Sequence, residues 1–237
     1  MTAPELATEG PAVKGLVVKG LRRRPQLSED VAAHIRSQIM SGVLRPGVFV
    51  RIDDTAVELG VSATPVREAL VSLRGEGLVE QVPNRGYRVG ELDRDDIEDI
   101  FWLQGAIASK LARRAARVIT ESQIEELTGL NARLREAVVH ANPDAVETCV
   151  FEFHRFVNRV AGGRKLAWFL YGAIRYTPTK LYSASESWGR DAVAGHDALI
   201  DAFARGDVDA AGELMGRQFA DGAEHLVAYR ERVGLRS

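Results

Sequence analysis

The stretch from residue 54 to residue 73 constrains the fold of this chain more than any other. Gly60 separates two segments with helical apolar periodicity, and glycine readily adopts the left-handed backbone conformation that ends a helix. Because Pro65 is excluded from a helix interior, a second helix must begin close to it, with Ser62 or Thr64 as its N-cap. This second helix has one apolar face, formed by Val66, Ala69, Leu70 and Leu73.

The first turn of the second helix carries polar side chains on the opposite face. The pattern leaves Ser62, Thr64 and Arg67 pointing outward, with Ala63 between the first two. A recognition helix presents its N-terminal end to base edges and phosphates in the major groove of DNA. We therefore expect a helix-turn-helix that contacts DNA through Ser62, Ala63, Thr64 and Arg67. Arg67 has two alternative roles, as a base reader or as a phosphate clamp.

Two short β-prone segments follow the second helix. They lie at 78–82 and 87–89, on either side of the tip Asn84-Arg85-Gly86, and predict a hairpin. Behind a recognition helix such a hairpin is the wing of a winged helix. Glycine permits close approach to DNA and arginine favours the negative potential of the minor groove, so Asn84, Arg85 and Gly86 are candidate contacts.

Charge and cysteine content suggest the setting of the chain. Residues 14–90 contain 12 Lys and Arg against 8 Asp and Glu, whereas residues 91–237 contain 19 against 23. A basic front half fits a DNA-binding module joined to a domain with another task. Cys149 is the only cysteine, which excludes an intrachain disulfide and favours a reducing compartment. With no signal-peptide pattern and no apolar segment of membrane-spanning length, a cytoplasmic location and no membrane partner are expected.

The rest of the chain predicts a mainly α protein. Ser28 is expected to cap a first helix that ends at Gly42, after a flexible tail at 1–25. The winged helix then occupies 26–91, and an all-helical domain for ligand binding and dimerisation occupies 92–237. This domain is predicted to be a bundle of six or seven helices, with segments at 93–118, 121–140, 143–161, 164–182, 190–205 and 207–232.

Motifs in both halves resemble one bacterial family. Residues 27–89 resemble the winged helix of GntR-type transcription regulators at Ser-Gly-Val-Leu-Arg-Pro-Gly47, Gly-Val-Ser-Ala-Thr-Pro-Val-Arg-Glu-Ala-Leu70 and Asn-Arg-Gly-Tyr-Arg-Val89. The helical remainder is similar to the effector domain of the FadR/FCD subgroup at Phe153-His154-Arg155 and Gly195-His196-Asp197. The resemblance implies a homodimeric regulator, commonly a repressor, with two DNA-binding heads on an inverted-repeat operator. No catalytic constellation is present in the sequence, and we expect no enzyme activity.

The chain departs from the ligand sets that this resemblance implies. Many relatives hold a divalent metal at four positions that correspond here to Val150, His154, His196 and Gln218. Only two histidines remain and no carboxylate is among the four, so we predict no metal and no other cofactor. A ligand relocated to His225 is the alternative. The family also commonly has arginine where Ala63 stands, and arginine is the usual bidentate reader of guanine.

A second departure concerns the effector. Relatives that sense organic acids often carry a Tyr-x-x-Arg pattern on the first bundle helix, which here reads Phe101-Trp-Leu-Gln104, and glutamine carries no charge. Half of the 16 aromatic residues lie between 151 and 182, either in the core or around an apolar pocket. We predict an apolar or neutral effector of lipid or acyl type. The predicted effector contacts are Gln104, His154, His196, Gln218, Arg175 and Tyr176.

Two other functions stay open for the helical domain. One is sensing of an organic acid through a degraded or relocated metal site. The other is dimerisation alone, in a DNA-binding protein with no small-molecule effector.

Overall fold

A computed structural model describes residues 25–178, 181–183 and 185–235. The predicted tail at 1–25 therefore lies outside the described residues, except for its last residue. Within the described part, the chain forms nine helices and a three-stranded sheet. In chain order these are α1 (Pro25–Met40), β1 (Phe49–Val50), α2 (Ile52–Leu59), α3 (Ala63–Gly75), β2 (Val79–Val82), β3 (Gly86–Val89), α4 (Arg94–Ala116), α5 (Glu121–Val139), α6 (Pro143–Val160), α7 (Arg164–Ile174), α8 (Glu186–Ala204) and α9 (Val208–Arg232).

The helix-turn-helix is confirmed at α2 and α3. Gly60 ends α2 with φ +64°, and its N–H bonds back to carbonyls of the last turn. Ser62 is the N-cap of α3 with extended backbone, although its hydroxyl makes no capping hydrogen bond. Val66, Leu70 and Leu73 are fully buried beneath α3. The turn thus follows from one left-handed glycine and one apolar stripe.

The predicted hairpin is also present, and a third strand joins it. The sheet order is β1-β3-β2 and both pairs are antiparallel, with Val79 opposite Val89 and Val82 opposite Gly86. The short strand β1 places Phe49 opposite Arg88. A two-residue strand is too short to show alternation in the sequence, which is why no pattern predicted it.

Three predicted helix boundaries are wrong, one of them the start of α8, which begins at Glu186 and not at residue 190. Helix α1 begins at Pro25, and Ser28 lies inside the helix instead of capping it. Proline is favoured at the first helical position because its missing N–H would have no partner there. Helix α7 ends at Ile174 and not near residue 182. Thr177 precedes Pro178, and a residue before proline is disfavoured in the helical conformation.

The six helices α4–α9 form the predicted bundle. Its two longest helices, α4 and α9, approach closely at Gly105, where an added Cβ would lie 3.2 Å from Phe219 Cβ. The bundle core is apolar and includes Leu111, Leu127, Phe153, Leu199 and Met215. None of the described helices is both long enough and apolar enough to cross a membrane.

The winged helix packs directly on the bundle. One apolar cluster contains Ile35 of α1 and Leu70 of α3 together with Phe101 of α4 and Leu226 of α9. Arg230 of α9 is buried within this junction and donates 2.9 Å hydrogen bonds from Nη1 to the carbonyls of residues 39 and 40 at the end of α1. The head and the bundle therefore share a core and a buried hydrogen-bonded arginine.

Candidate DNA interface and effector cavity

The predicted DNA contacts of α3 lie together on an open surface. Ser62, Thr64 and Arg67 are exposed at the N-terminal end of the helix, and Ala63 is half-buried between them. The uncapped Ser62 hydroxyl remains available to a phosphate or a base. Helix N-termini also favour negative charge, because their first N–H groups point outward. This end of α3 can thus bind a phosphate backbone and probe base edges.

The tip of the wing carries an exposed cation. Asn84 takes a left-handed conformation (φ +60°) in the turn, and Gly86 follows with φ +98°. The guanidinium carbon of Arg85 lies 4.8 Å from the centroid of the Phe49 ring. Such a cation–π contact orients the arginine while leaving its N–H groups to bind an anion. Asn84 and Arg85 are exposed, as contact with DNA requires.

Inside the bundle, His196 is held in a defined orientation. Its ring is 1% exposed and stacks on Phe153 with centroids 3.7 Å apart. Its Nδ1 lies 3.2 Å from Oδ1 of Asn131, whose Nδ2 donates to the Val193 carbonyl and to Asp197. Because this Asn131 orientation presents Oδ1 as the acceptor, His196 carries its proton on Nδ1. Its Nε2 is then a buried acceptor with no partner among the described residues.

His154 packs beside His196, and Gln218 packs beside the neighbouring Gly195. The His154 ring centroid lies 5.4 Å from that of His196. Gln218 packs on Gly195, where an added Cβ would be 3.2 Å from Gln218 Nε2, and this donor is also buried without a described partner. Burial lowers the pKa of His154 to about 4. Burial and the neighbouring His154 lower the pKa of His196 as well, so both rings are neutral at pH 7.

These residues do not fit a divalent metal. The four positions supply two neutral imidazoles, one amide and the apolar side chain of Val150, which is 4% exposed. No group of three or more His, Cys, Asp or Glu side chains within the described part of the chain is placed to hold a metal ion. A buried dication would lack the compensating negative charge that such sites need. His225 belongs to a separate cluster, where it stacks on Trp188 at 4.5 Å.

Of the other predicted effector residues, Arg175 and Tyr176 follow the end of α7, and Gln104 of α4 contacts it. Gln104 is fully buried, donates to the Ala173 carbonyl at 2.9 Å and accepts from Thr177 Oγ1 at 3.3 Å. It therefore links α4 to the end of α7. Arg175 pairs with Glu29 of α1. The Tyr176 ring centroid is 5.6 Å from the guanidinium carbon of Arg36.

A cavity of about 370 Å³ lies between α1 of the head and the bundle. His154 lines it, as do apolar side chains of α6, α7 and α9: Val150, Phe151, Ile174 and Phe219. A wider groove of about 920 Å³ along α6 and α7 also reaches His154. Both volumes fall in the range of small-molecule sites.

The aromatic cluster predicted from the sequence divides between several surroundings. Phe151, Tyr171 and Tyr182 line the cavity, whereas Phe153 and Phe156 are core residues. Trp168 and Phe169 are exposed on α7. Only part of the cluster therefore meets the predicted role around a pocket.

Sequence reasoning missed two residues near these sites, Arg36 and Asn131. Arg36 shares the buried face of α1 with Ala32 and Ile39, at helical spacings of four and three. A charged residue within an apolar stripe was the available signal, since buried charges need a partner. Asn131 of α5 is 1% exposed, and no pattern in the sequence indicated that this polar residue is buried.

Comparisons with known proteins agree with both halves of this description. Residues 27–89 match the gntR family of bacterial regulatory proteins, and residues 99–221, slightly over half of the chain, match the FCD domain. The transcriptional repressor RspR of Escherichia coli is 29% identical over 142 residues, which cover 60% of this chain and 62% of that protein. The match thus spans less than two thirds of this relative.

Two further similarities extend over most of the chain. A probable D-xylose utilization operon transcriptional repressor of Paenarthrobacter nicotinovorans is 28% identical over 208 residues, covering 87% of this chain and 88% of that protein. The solved structure of E. coli McbR/YncC superposes with a TM-score of 0.65 at 20% identity, covering 87% of this chain and 98% of that one. The chain belongs to the GntR family of bacterial regulatory proteins, with an FCD domain behind its winged helix.

Proposed function

We propose that this chain is a DNA-binding transcription regulator without enzyme activity. It would be a cytoplasmic homodimeric repressor whose two heads bind an inverted-repeat operator. The DNA-binding surface is inferred mainly from the N-terminal end of α3, where Ser62, Thr64 and Arg67 are exposed. The exposed Arg85 at the tip of the wing supports it. Two similar proteins are named as repressors, which supports the direction of regulation. Because arginine is absent at Ala63, Thr64, Arg67 and the wing carry more of the readout than in relatives with that arginine.

We further propose that an apolar or neutral effector of lipid or acyl type binds in the cavity beside His154. The His154 imidazole in its wall is neutral, and the two arginines that line it, Arg36 and Arg175, are already paired with Glu76 and Glu29. The surrounding walls are largely apolar. A neutral molecule can enter such a cavity without the desolvation cost of an unpaired charge.

Substitution of one α3 residue tests the DNA-binding surface. A duplex is first selected from random sequences by the full chain, and its affinity is measured by fluorescence anisotropy. We expect Arg67→Ala to weaken binding by about 1–3 kcal/mol if the side chain reads a base. Arg159→Ala, on the exposed surface of α6, serves as the matched control. Equal affinities of the two variants would remove Arg67 from the interface.

Native mass spectrometry tests the effector assignment. The protein is purified from its own host and its mass is compared before and after denaturation. We expect a neutral or apolar small molecule to co-purify at up to one copy per chain. A bound organic acid with a stoichiometric metal would instead favour the alternative of a degraded metal site, and a ligand-free dimer would favour a protein with no effector.

A further inference from the structure

Arg36 of α1 is a fully buried arginine that uses only part of its hydrogen-bonding capacity. Its Nε and Nη2 donate to the two carboxylate oxygens of Glu76 at 2.7 and 2.6 Å. Its third nitrogen, Nη1, is buried and has no partner among the described residues. Burial opposes the charge of this arginine, but Glu76 more than offsets the effect, and the pKa of Arg36 is raised. Because Glu76 already balances the charge of the guanidinium, the unused Nη1 donor lacks only a hydrogen-bond acceptor.

This arginine lines the cavity that His154 also lines. Ala33, Arg36 and Ser37 form the wall that belongs to the DNA-binding head, and the bundle forms the rest. The positive charge of Arg36 is already matched by Glu76, and the carboxylate of Glu147 lines the same cavity. A further negative charge would meet repulsion there. The missing partner of Nη1 is therefore a neutral oxygen, such as a carbonyl, ester or hydroxyl, on a largely apolar body.

The Arg36–Glu76 pair also connects the cavity to the recognition helix. Glu76 is the C-cap residue of α3, whose other end carries the DNA contacts. Its carboxylate is hydrogen-bonded by Tyr176, in the segment that follows α7. Arg175 of that same segment lines the cavity and pairs with Glu29 of α1. A molecule in the cavity would touch both sides of the junction that fixes α3.

We propose that the effector is bound jointly by the head and the bundle, with a neutral oxygen accepting from Arg36 Nη1, and that occupancy acts on DNA binding through the Arg36–Glu76 pair. This inference rests on the proposed function, because it names the contact through which the same cavity regulates α3. A ligand shifts such an equilibrium only by contacts that differ between the two arrangements. The Arg36 contact is one of these, because it joins the ligand to the head itself.

A tethered occupant tests the inference without knowledge of the natural effector. In a Cys149→Ala background, Phe151→Cys places a thiol on the cavity wall, and N-hexylmaleimide supplies an apolar chain with two neutral carbonyl oxygens. Trp168→Cys, on the exposed face of α7, takes the same label outside the cavity. Affinity for the selected duplex is measured before and after labelling, with stoichiometry checked by mass spectrometry.

We expect labelling at residue 151 to change the dissociation constant by about fivefold or more, and labelling at residue 168 to change it by less than about twofold. The same label in an Arg36→Met/Glu76→Met chain should lose the effect, since replacing a buried ion pair by apolar side chains is often tolerated. Arg36→Lys is the second variant if that chain does not fold: it keeps the charge beside Glu76 but lacks the planar fork.

Two results would overturn the inference. One is an unchanged dissociation constant after labelling at residue 151. The other is a change in the dissociation constant of the same size with and without the Arg36–Glu76 pair, which would show that this pair does not transmit the effect. Failure of the unlabelled chain to bind any duplex selectively is a different result, because it refutes the proposed function and this inference falls with it.

Discussion

At the scale of single residues, His196 shows how the fold fixes the protonation of a buried imidazole. Asn131 donates to Val193 and Asp197 and so has only its oxygen left to offer the imidazole. The ring therefore keeps its proton on Nδ1, and Nε2 remains an acceptor. Phe153 stacks on the ring and excludes water from one face. A buried acceptor without a partner costs free energy, so this nitrogen would gain from any donor that reached it.

The buried histidines give a pH prediction. Their pKa values are lowered in the folded chain, so the unfolded chain binds protons first as the pH falls from about 6.5. The free energy of unfolding should therefore fall with decreasing pH between about 6.5 and 4, by up to about 1.4 kcal/mol per pH unit for each histidine. Urea unfolding at several pH values measures this slope.

Two glutamine substitutions separate the contribution of a buried histidine to this slope from that of the other titratable groups. His196→Gln should flatten the slope, whereas His140→Gln, at an exposed position, should leave it unchanged. Equal slopes for the two variants would show that His196 is protonated as readily in the folded chain as in the unfolded one.

The site residues differ in how far the sequence could predict them. Ser62 and Arg67 were predictable because a glycine, a proline and one apolar stripe fix their position on a helix. Gln104 was placed on the correct helix, but its partners Ala173 and Thr177 lie about 70 residues away. The Arg36–Glu76 pair likewise depends on a contact across 40 residues. Local periodicity determines a face of a helix, whereas such partners are set by tertiary packing.

At the scale of elements, the long helices α4 and α9 set the geometry of the bundle. Gly105 allows their backbones to approach, since an added Cβ would lie 3.3 Å from the Gly216 carbonyl oxygen. The predicted helix boundaries agree with the structure where a capping residue or a glycine marks the end of a helix, as at Thr120 and Gly206. The end of α7 was predicted too far along the chain, because the apolar periodicity of the sequence continues beyond the turn that precedes Pro178.

Two helical glycines should respond in opposite ways to the same substitution. Gly105→Ala places a methyl group against Phe219 and the α9 backbone, and should destabilise the chain by about 1–3 kcal/mol. Gly129→Ala meets no atom within 4 Å on the exposed face of α5, and should stabilise it by about 0.5–1 kcal/mol. Urea denaturation of both variants measures the difference. Stabilisation by Gly105→Ala would show that α4 and α9 are less closely packed.

At the scale of the whole molecule, one surface suits the proposed homodimer. Trp102 of α4 is 70% exposed and stands beside a groove of about 450 Å³ between α4 and α9. Small residues line this groove, including Gly105, Ala106 and Gly216. A projecting side chain next to a recess can make one patch complementary to its own copy, as a twofold interface requires.

Replacing the apolar side chain of Trp102 by a charged one tests this interface. Trp102→Glu should weaken the dimer and shift the mass in light scattering towards that of one chain, because the introduced carboxylate would be desolvated. Trp168→Glu is the matched control, because Trp168 is also 70% exposed but lies on α7. Loss of the dimer in the second variant alone would place the interface on α7.

The most direct test of the account is a hydroxyl-radical footprint of the full chain on its selected duplex. Two α3 helices related by a twofold axis should protect two half-sites about one helical turn apart, roughly 10 base pairs from centre to centre or a multiple of this. The protected sequences should form an inverted repeat, and both half-sites should weaken together in Arg67→Ala. A single protected patch, or protection that Arg67→Ala leaves unchanged, would contradict a dimer that reads DNA through the N-terminus of α3.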